Sequence, residues 1–101
     1  MKNMTYVLEK GSFVESMAGH DEGRTYVVTE IIDDNFVWLA DGNYHKLSNL
    51  KKKRIKHIKN TGKVSKVVAG NKYDDNNIHA EILKFKKDSN SAKQPVGQRR
   101  N

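Results

Sequence analysis

Residues 10–31, KGSFVESMAGHDEGRTYVVTEI, constrain the fold more than any other stretch, because they read as two short strands joined by a glycine-bounded loop. In the first strand Val14, Ser16 and Ala18 fall at every second position. One face therefore carries only small or β-branched side chains, which suits the tight interior of a small barrel. The second strand, from Arg24 onward, is rich in Tyr, Val, Thr and Ile. Val27, Thr29 and Ile31 share one of its faces, and Tyr26, Val28 and Ile32 share the other. Gly19, His20, Asp21, Glu22, Gly23 and Arg24 lie between the strands. Glycines at both ends of this loop permit positive φ, so its amides are expected to point outward, with the Arg24 guanidinium at its exit.

The rest of the chain supplies partners for this pair. Asp33, Asp34 and Asn35 make a tight turn, since these side chains bond their own backbone. A third strand follows over 36–40, with Val37 and Leu39 on one face and Phe36 and Trp38 on the other. Asp41 and Gly42 are a hairpin signal, and the chain is expected to return through 43–47 as the fourth strand. Residues 48–53 read as a polar, basic connection, after which Ile55 and Ile58 mark a last short strand or turn. Five short strands at this spacing predict a mainly β fold, a small SH3-like five-stranded barrel over 8–61; a sandwich needs more chain.

Beyond it, 62–73 is a linker or an extra strand. A short amphipathic helix over 74–87 is capped by Asp74 or Asp75, with Ile78, Ile82 and Phe85 on one face, acids early and lysines late. About 12 residues are marginal for an isolated helix, so this one docks on the barrel around Trp38, engages a partner, or forms on binding. Residues 88–101 have the composition of a disordered basic tail. Trp38 faces away from the barrel interior. It is read first as covering a cross-strand neighbour or a docked terminal segment, and second as a stacking platform for a base.

Charge is segregated along the chain. Residues 9–41 hold eight acids against two bases, whereas 42–73 hold ten bases and no acid, within a net charge of +7. Such a block attracts a polyanion with regularly spaced phosphates, nucleic acid above all; the plainer alternative is a solvated lysine-rich surface. Absence of cysteine excludes disulfides and fits a cytoplasmic protein. No apolar run approaches the ~20 residues of a membrane helix.

Gly11, Val14, Ser16, Ala18, Gly19, Asp21, Gly23 and Arg24, continued by Ala40, Asp41 and Gly42 and by Lys51, Lys53, Lys56 and His57, resemble the KOW domain. More narrowly, they are similar to bacterial KOW-domain RNA-binding proteins related to archaeal and eukaryotic large-subunit ribosomal proteins. The likeness spans about 8–61. Leu50 stands where that family usually has Pro, His45 where Arg is common, and Tyr26 at the second glycine of many KOW motifs. The resemblance implies ribosomal RNA or a ribosome-associated particle as target.

Nothing in the sequence assembles a catalytic or metal constellation. His20, His45, His57 and His79 have no HxxxH or HExxH spacing, and there is no phosphate-binding GxxxxGK[ST]. The expectation is therefore a monomeric RNA-binding module, not an enzyme, with no cofactor, metal or membrane partner. Its RNA contacts are expected at Gly19, His20, Asp21, Gly23, Arg24, His45, Lys46, Lys51, Lys52, Lys53, Arg54, Lys56 and His57. Ribosomal proteins are expected to meet the Trp38 face or the helix. The alternative is an SH3-like protein-interaction module of the transcription or translation machinery.

Overall fold

The computed structural model describes residues 7–93, with side chains described as far as residue 88. Strands β1 (Ser12–Ser16), β2 (Thr25–Ile31), β3 (Phe36–Ala40), β4 (Lys51–Arg54) and β5 (Ile58–Val64) form one antiparallel sheet in the order β4-β3-β2-β1-β5. A 3-10 turn, Ile55–His57, joins the two edge strands. Two helices follow, α1 (Lys66–Ala69) and α2 (Asp75–Lys93). The fold is mainly β and barrel-like, but β4 and β5 stand at opposite edges of the sheet and do not close it.

Period-two alternation sends successive side chains of β1, β2 and β3 to opposite faces of the sheet, and each face has its own core. On the concave face Val14, Tyr26, Val28, Val37 and Leu39 are fully buried, and Leu8, Ile55 and Ile58 pack around them. Cross-strand pairing sets Val14 against Tyr26 and Val28 against Leu39. Each such side chain contributes roughly 1.5–3 kcal/mol relative to exposure. The intervening residues Phe13, Val27 and Ala40 face the other way and are covered by Val68 of α1 and Ile78 and Ile82 of α2. Phe85 stacks on Phe13 with ring centroids 4.5 Å apart and planes 10° from parallel.

The apolar stripe of α2 is thus buried on the sheet instead of being held out to a partner, and it anchors on Phe13, Val27 and Ala40 rather than on Trp38. Its start is fixed twice. Asp74 accepts a hydrogen bond from the Asn77 amide at 2.8 Å while Asn77 Oδ1 accepts from the Asp74 amide at 3.0 Å, a reciprocal cap. The Leu47 amide donates to Asp75 Oδ1 at 2.7 Å, tying the helix to the loop before β4.

Four expectations are corrected. Residues 43–47 are a loop, because the Asp41 carboxylate accepts from the amides of Asn43 and His45 at 2.9 and 2.7 Å and so folds the segment on itself. The fourth strand is the lysine-rich Lys51–Arg54, which reads as a connection only because an edge strand tolerates charge. Residues 62–73 are neither linker nor separate strand: β5 continues to Val64, and Ser65 then caps α1 by accepting from the Val68 amide. The helix also runs past residue 87 to Lys93, so 88–93 are not tail. The remainder of the expected tail, 94–101, lies outside the described residues. No helix among the described residues is long and apolar enough to cross a membrane.

Candidate nucleic-acid interface

The loop over 19–24 is built from inside. Asp21 is buried, and its carboxylate accepts hydrogen bonds from Ser16 Oγ at 2.9 Å, Tyr26 OH at 2.8 Å and Lys53 Nζ at 2.8 Å. Lys53 Nζ also donates to the Ala18 carbonyl at 2.8 Å, and its side chain is only 10% exposed. Burial alone raises the Asp21 carboxyl. The hydrogen bonds from Lys53, Tyr26 and Ser16, together with the Lys53 charge, outweigh it and hold the group well below the usual carboxylate range. Tyr26 is pushed up by its own burial and then by bonding to the Asp21 anion.

Asp21 and Lys53, both expected to face RNA, are therefore spent on each other. The outward-amide expectation is also corrected in part. The amides of Glu22, Gly23 and Arg24 donate to the carbonyls of Gly19, Ser16 and Asp21, which closes the hairpin upon itself. Gly19 and Gly23 do adopt positive φ, +88° and +91°, and both are exposed. What the loop offers to solvent is side chains, those of His20, Glu22 and Arg24, all exposed.

Three stretches far apart in sequence converge on this buried ion pair. Lys53 brings β4 to the loop. The Met17 amide donates to the His57 carbonyl at 2.8 Å, which fastens the 3-10 turn to the end of β1. From the opposite side Arg24 lies over the Tyr44 ring at 4.3 Å, and the His45 ring meets Tyr26 edge-on at 5.8 Å. His45 Nδ1 also lies 3.4 Å from the Asn49 carbonyl, and its ring is half-buried. Lys46 beside it is exposed.

Register decides which cations of β4 reach solvent. Lys51 and Lys53 lie opposite Leu39 and Val37, on the concave side, whereas Lys52 and Arg54 lie opposite Trp38 and Phe36, on the outer side. Lys51 is accordingly half-buried and Lys53 buried, while Lys52 and Arg54 are exposed. Both exposed cations sit over Phe36, with Lys52 Nζ 4.7 Å and Arg54 Cζ 5.0 Å from its ring centre. Lys56 is exposed and His57 half-buried. Lys59 and Lys63 on β5 are exposed too. Their position in the acid-free block was the signal available for including them. The pairing of Lys52 and Arg54 with Phe36 is hidden in the sequence, where 48–53 reads as a connection.

Among the described residues no group of three His, Asp or Glu side chains is placed to hold a metal ion. No protein-family model matches the chain, and no curated protein sequence matches it.

Proposed function

We propose that this chain is an RNA-binding protein of the KOW type, acting in the cytoplasm on ribosomal RNA or a ribosome-associated particle. One observation carries the reading: the Asp21–Lys53 pair locks the glycine-bounded loop to an edge strand and turn that display Lys52, Arg54 and Lys56. Arg24 and His20 stand exposed on that loop, and the segment from 42 to 73, which carries the cations of the edge strand and turn, contains no acid. A neutral internal ion pair sets the geometry, and the surrounding exposed cations supply the attraction. Affinity comes from phosphate neutralisation, and selectivity from the shape of a folded RNA backbone. The ribosomal target rests on the KOW-like residues of the loop and of the basic segment.

The test is the salt dependence of RNA binding. If Arg24, Lys52, Arg54 and Lys56 each neutralise one phosphate, the slope of log K against log salt is about −2.8 to −3.6, from ~0.7–0.9 counterions per contact. Replacing Lys52, Arg54 and Lys56 together with Ala flattens that slope by about 2–2.7 units, whereas replacing Lys84, Lys86 and Lys87 on α2 changes it by much less. Equal effects from the two triples refute the site, and absence of RNA binding at physiological salt refutes the function.

A further inference from the structure

Among the described residues the helices cover one end of the outer face of the sheet. Helix α2 seals the end that carries Phe13, Val27 and Ala40. The other end carries Phe36 and Trp38, which share that face because Val37 and Leu39 alternate into the opposite core. Among the described residues Trp38 belongs to neither apolar cluster, although it is half-buried. Its backbone is held in place: Thr29 Oγ1 donates to the Trp38 carbonyl at 3.2 Å, at the point where the β2–β3 register shifts. Lys52 stands directly across from Trp38, and Arg54 across from Phe36, on the adjoining edge strand.

These four residues divide the work between them. The Phe36 ring is occupied by its own cations, so it props Lys52 and Arg54 outward and fixes where their charges sit. Trp38, one residue pair further along and half-buried, brings the accessible part of its indole to the same ledge. An aromatic platform bordered on one side by two fixed cations is the chemistry that receives a base and its flanking phosphates. A paired base keeps its faces inside the stack and has none to offer; an unpaired one does. Glu30, exposed across from Trp38 on β2, sets the polarity of the ledge, since phosphates seat on the β4 side and away from that carboxylate.

Resting on the RNA-binding reading, we infer that the Trp38 face of β3 and β4 takes unpaired bases, with a base stacked on Trp38 and its phosphates on Lys52 and Arg54. The protein thus selects a folded RNA at a place where a loop, bulge or single strand emerges beside the helical backbone gripped by the 19–24 loop. This gives Trp38 a function that the apolar cores do not assign to it.

The chain contains a single tryptophan, so its fluorescence reports on this residue alone. The full-length protein is titrated at fixed low salt with a short single-stranded oligouridylate, with an RNA duplex of equal length, and with polyglutamate. The expected result is quenching of Trp38 emission by the single strand and binding of the duplex, followed by anisotropy, without quenching. Trp38→Leu is expected to weaken single-strand binding about tenfold, since one stacked base is worth ~5- to 150-fold, while leaving duplex binding unchanged; Trp38→Phe restores most of the loss. Single-strand binding without quenching, and with no loss in Trp38→Leu, overturns the inference and leaves the RNA reading standing. Failure of both RNAs to bind overturns both. Quenching by polyglutamate as strong as by the oligouridylate makes the ledge an acidic-peptide site and overturns the inference. If Trp38→Leu does not fold, the comparison of quenching by the three ligands on the native protein decides the question by itself.

Discussion

Replacing Lys53 with Met keeps the stem of the side chain and removes only its charge, which makes it the sharpest probe of how the site is held. In the native protein the ammonium is 2.8 Å from Asp21 Oδ1 and 2.8 Å from the Ala18 carbonyl. Without it the Asp21 carboxylate, 8% exposed, retains only the hydroxyls of Ser16 and Tyr26. Breaking one side of a buried ion pair costs about 3–5 kcal/mol, because the surviving charge cannot rehydrate. Against a total stability of ~5–15 kcal/mol for a domain, that is a large share, and the melting temperature should fall by at least ~12 °C. The neighbouring exposed substitution Lys52→Met should stay within about 0.5 kcal/mol of the native protein. Urea unfolding of Lys53→Met, Asp21→Asn and the double variant gives the coupling. The double variant is expected to recover at least about half of the Lys53→Met loss, since both charges leave together. RNA binding supplies the second readout: under conditions where Lys53→Met is folded, its salt slope should match the native one. A stability loss no larger than that of Lys52→Met refutes the buried-pair account. A slope reduced by the ~0.7–0.9 of one phosphate contact shows that Lys53 reaches the RNA after all.

Other outcomes follow from the same contacts. Because the folded Asp21 carboxyl is held far below its unfolded value, its stabilisation is present above pH ~4 and lost as pH falls further; acid unfolding should be shallower in Asp21→Asn than in the native protein. Tyr26 acts at the opposite end: its raised folded value contributes stability below pH ~10 that is lost as pH rises beyond it, an alkaline transition that Tyr26→Phe removes. Gly42→Ala should cost roughly 2–4 kcal/mol, because at φ +75° its Cβ falls 2.7 Å from the His79 amide nitrogen and closer still to the Asp75 carbonyl oxygen; the measurement is thermal unfolding. Phe85→Ala, which removes the ring stacked on Phe13, should cost about 3 kcal/mol and expose the α2 amides to hydrogen exchange before those of the sheet.

The sheet was legible wherever alternation was backed by apolar side chains. Val14 with Ser16, Tyr26 with Val28, and Val37 with Leu39 announce two inner positions per strand, and these strands form where the pattern places them. Ile78, Ile82 and Phe85 announce the buried stripe of α2 in the same way. β4 carries no such mark. Its four residues are all cationic, so the hydrophobic pattern is silent there, and only pairing with β3 reveals that Lys53 points inward. The same silence hid the site's anchor. A lysine inside the basic run looks like its neighbours until a carboxylate 32 residues earlier is known to face it. Residues 43–47 failed for a different reason: Asp41 signals a turn at Gly42 correctly, but its side chain continues to bind amides beyond the turn and delays the return of the chain.

The open edge of β4 has a consequence for crowded solutions. An unpaired strand edge offers its N–H and C=O groups to any extended chain, a second copy of the same strand included. Two β4 edges that met antiparallel would bring eight cationic side chains together, four from each copy, with at most the buried Lys53 of each neutralised. Copies therefore repel where two β4 edges would meet, and fibril growth through this edge is opposed. Screening within a Debye length of ~10 Å at 0.1 M salt shortens to ~3 Å at 1 M. High salt thus withdraws that guard at the same time as it releases a bound polyanion, and storage of the free protein is safest at low ionic strength.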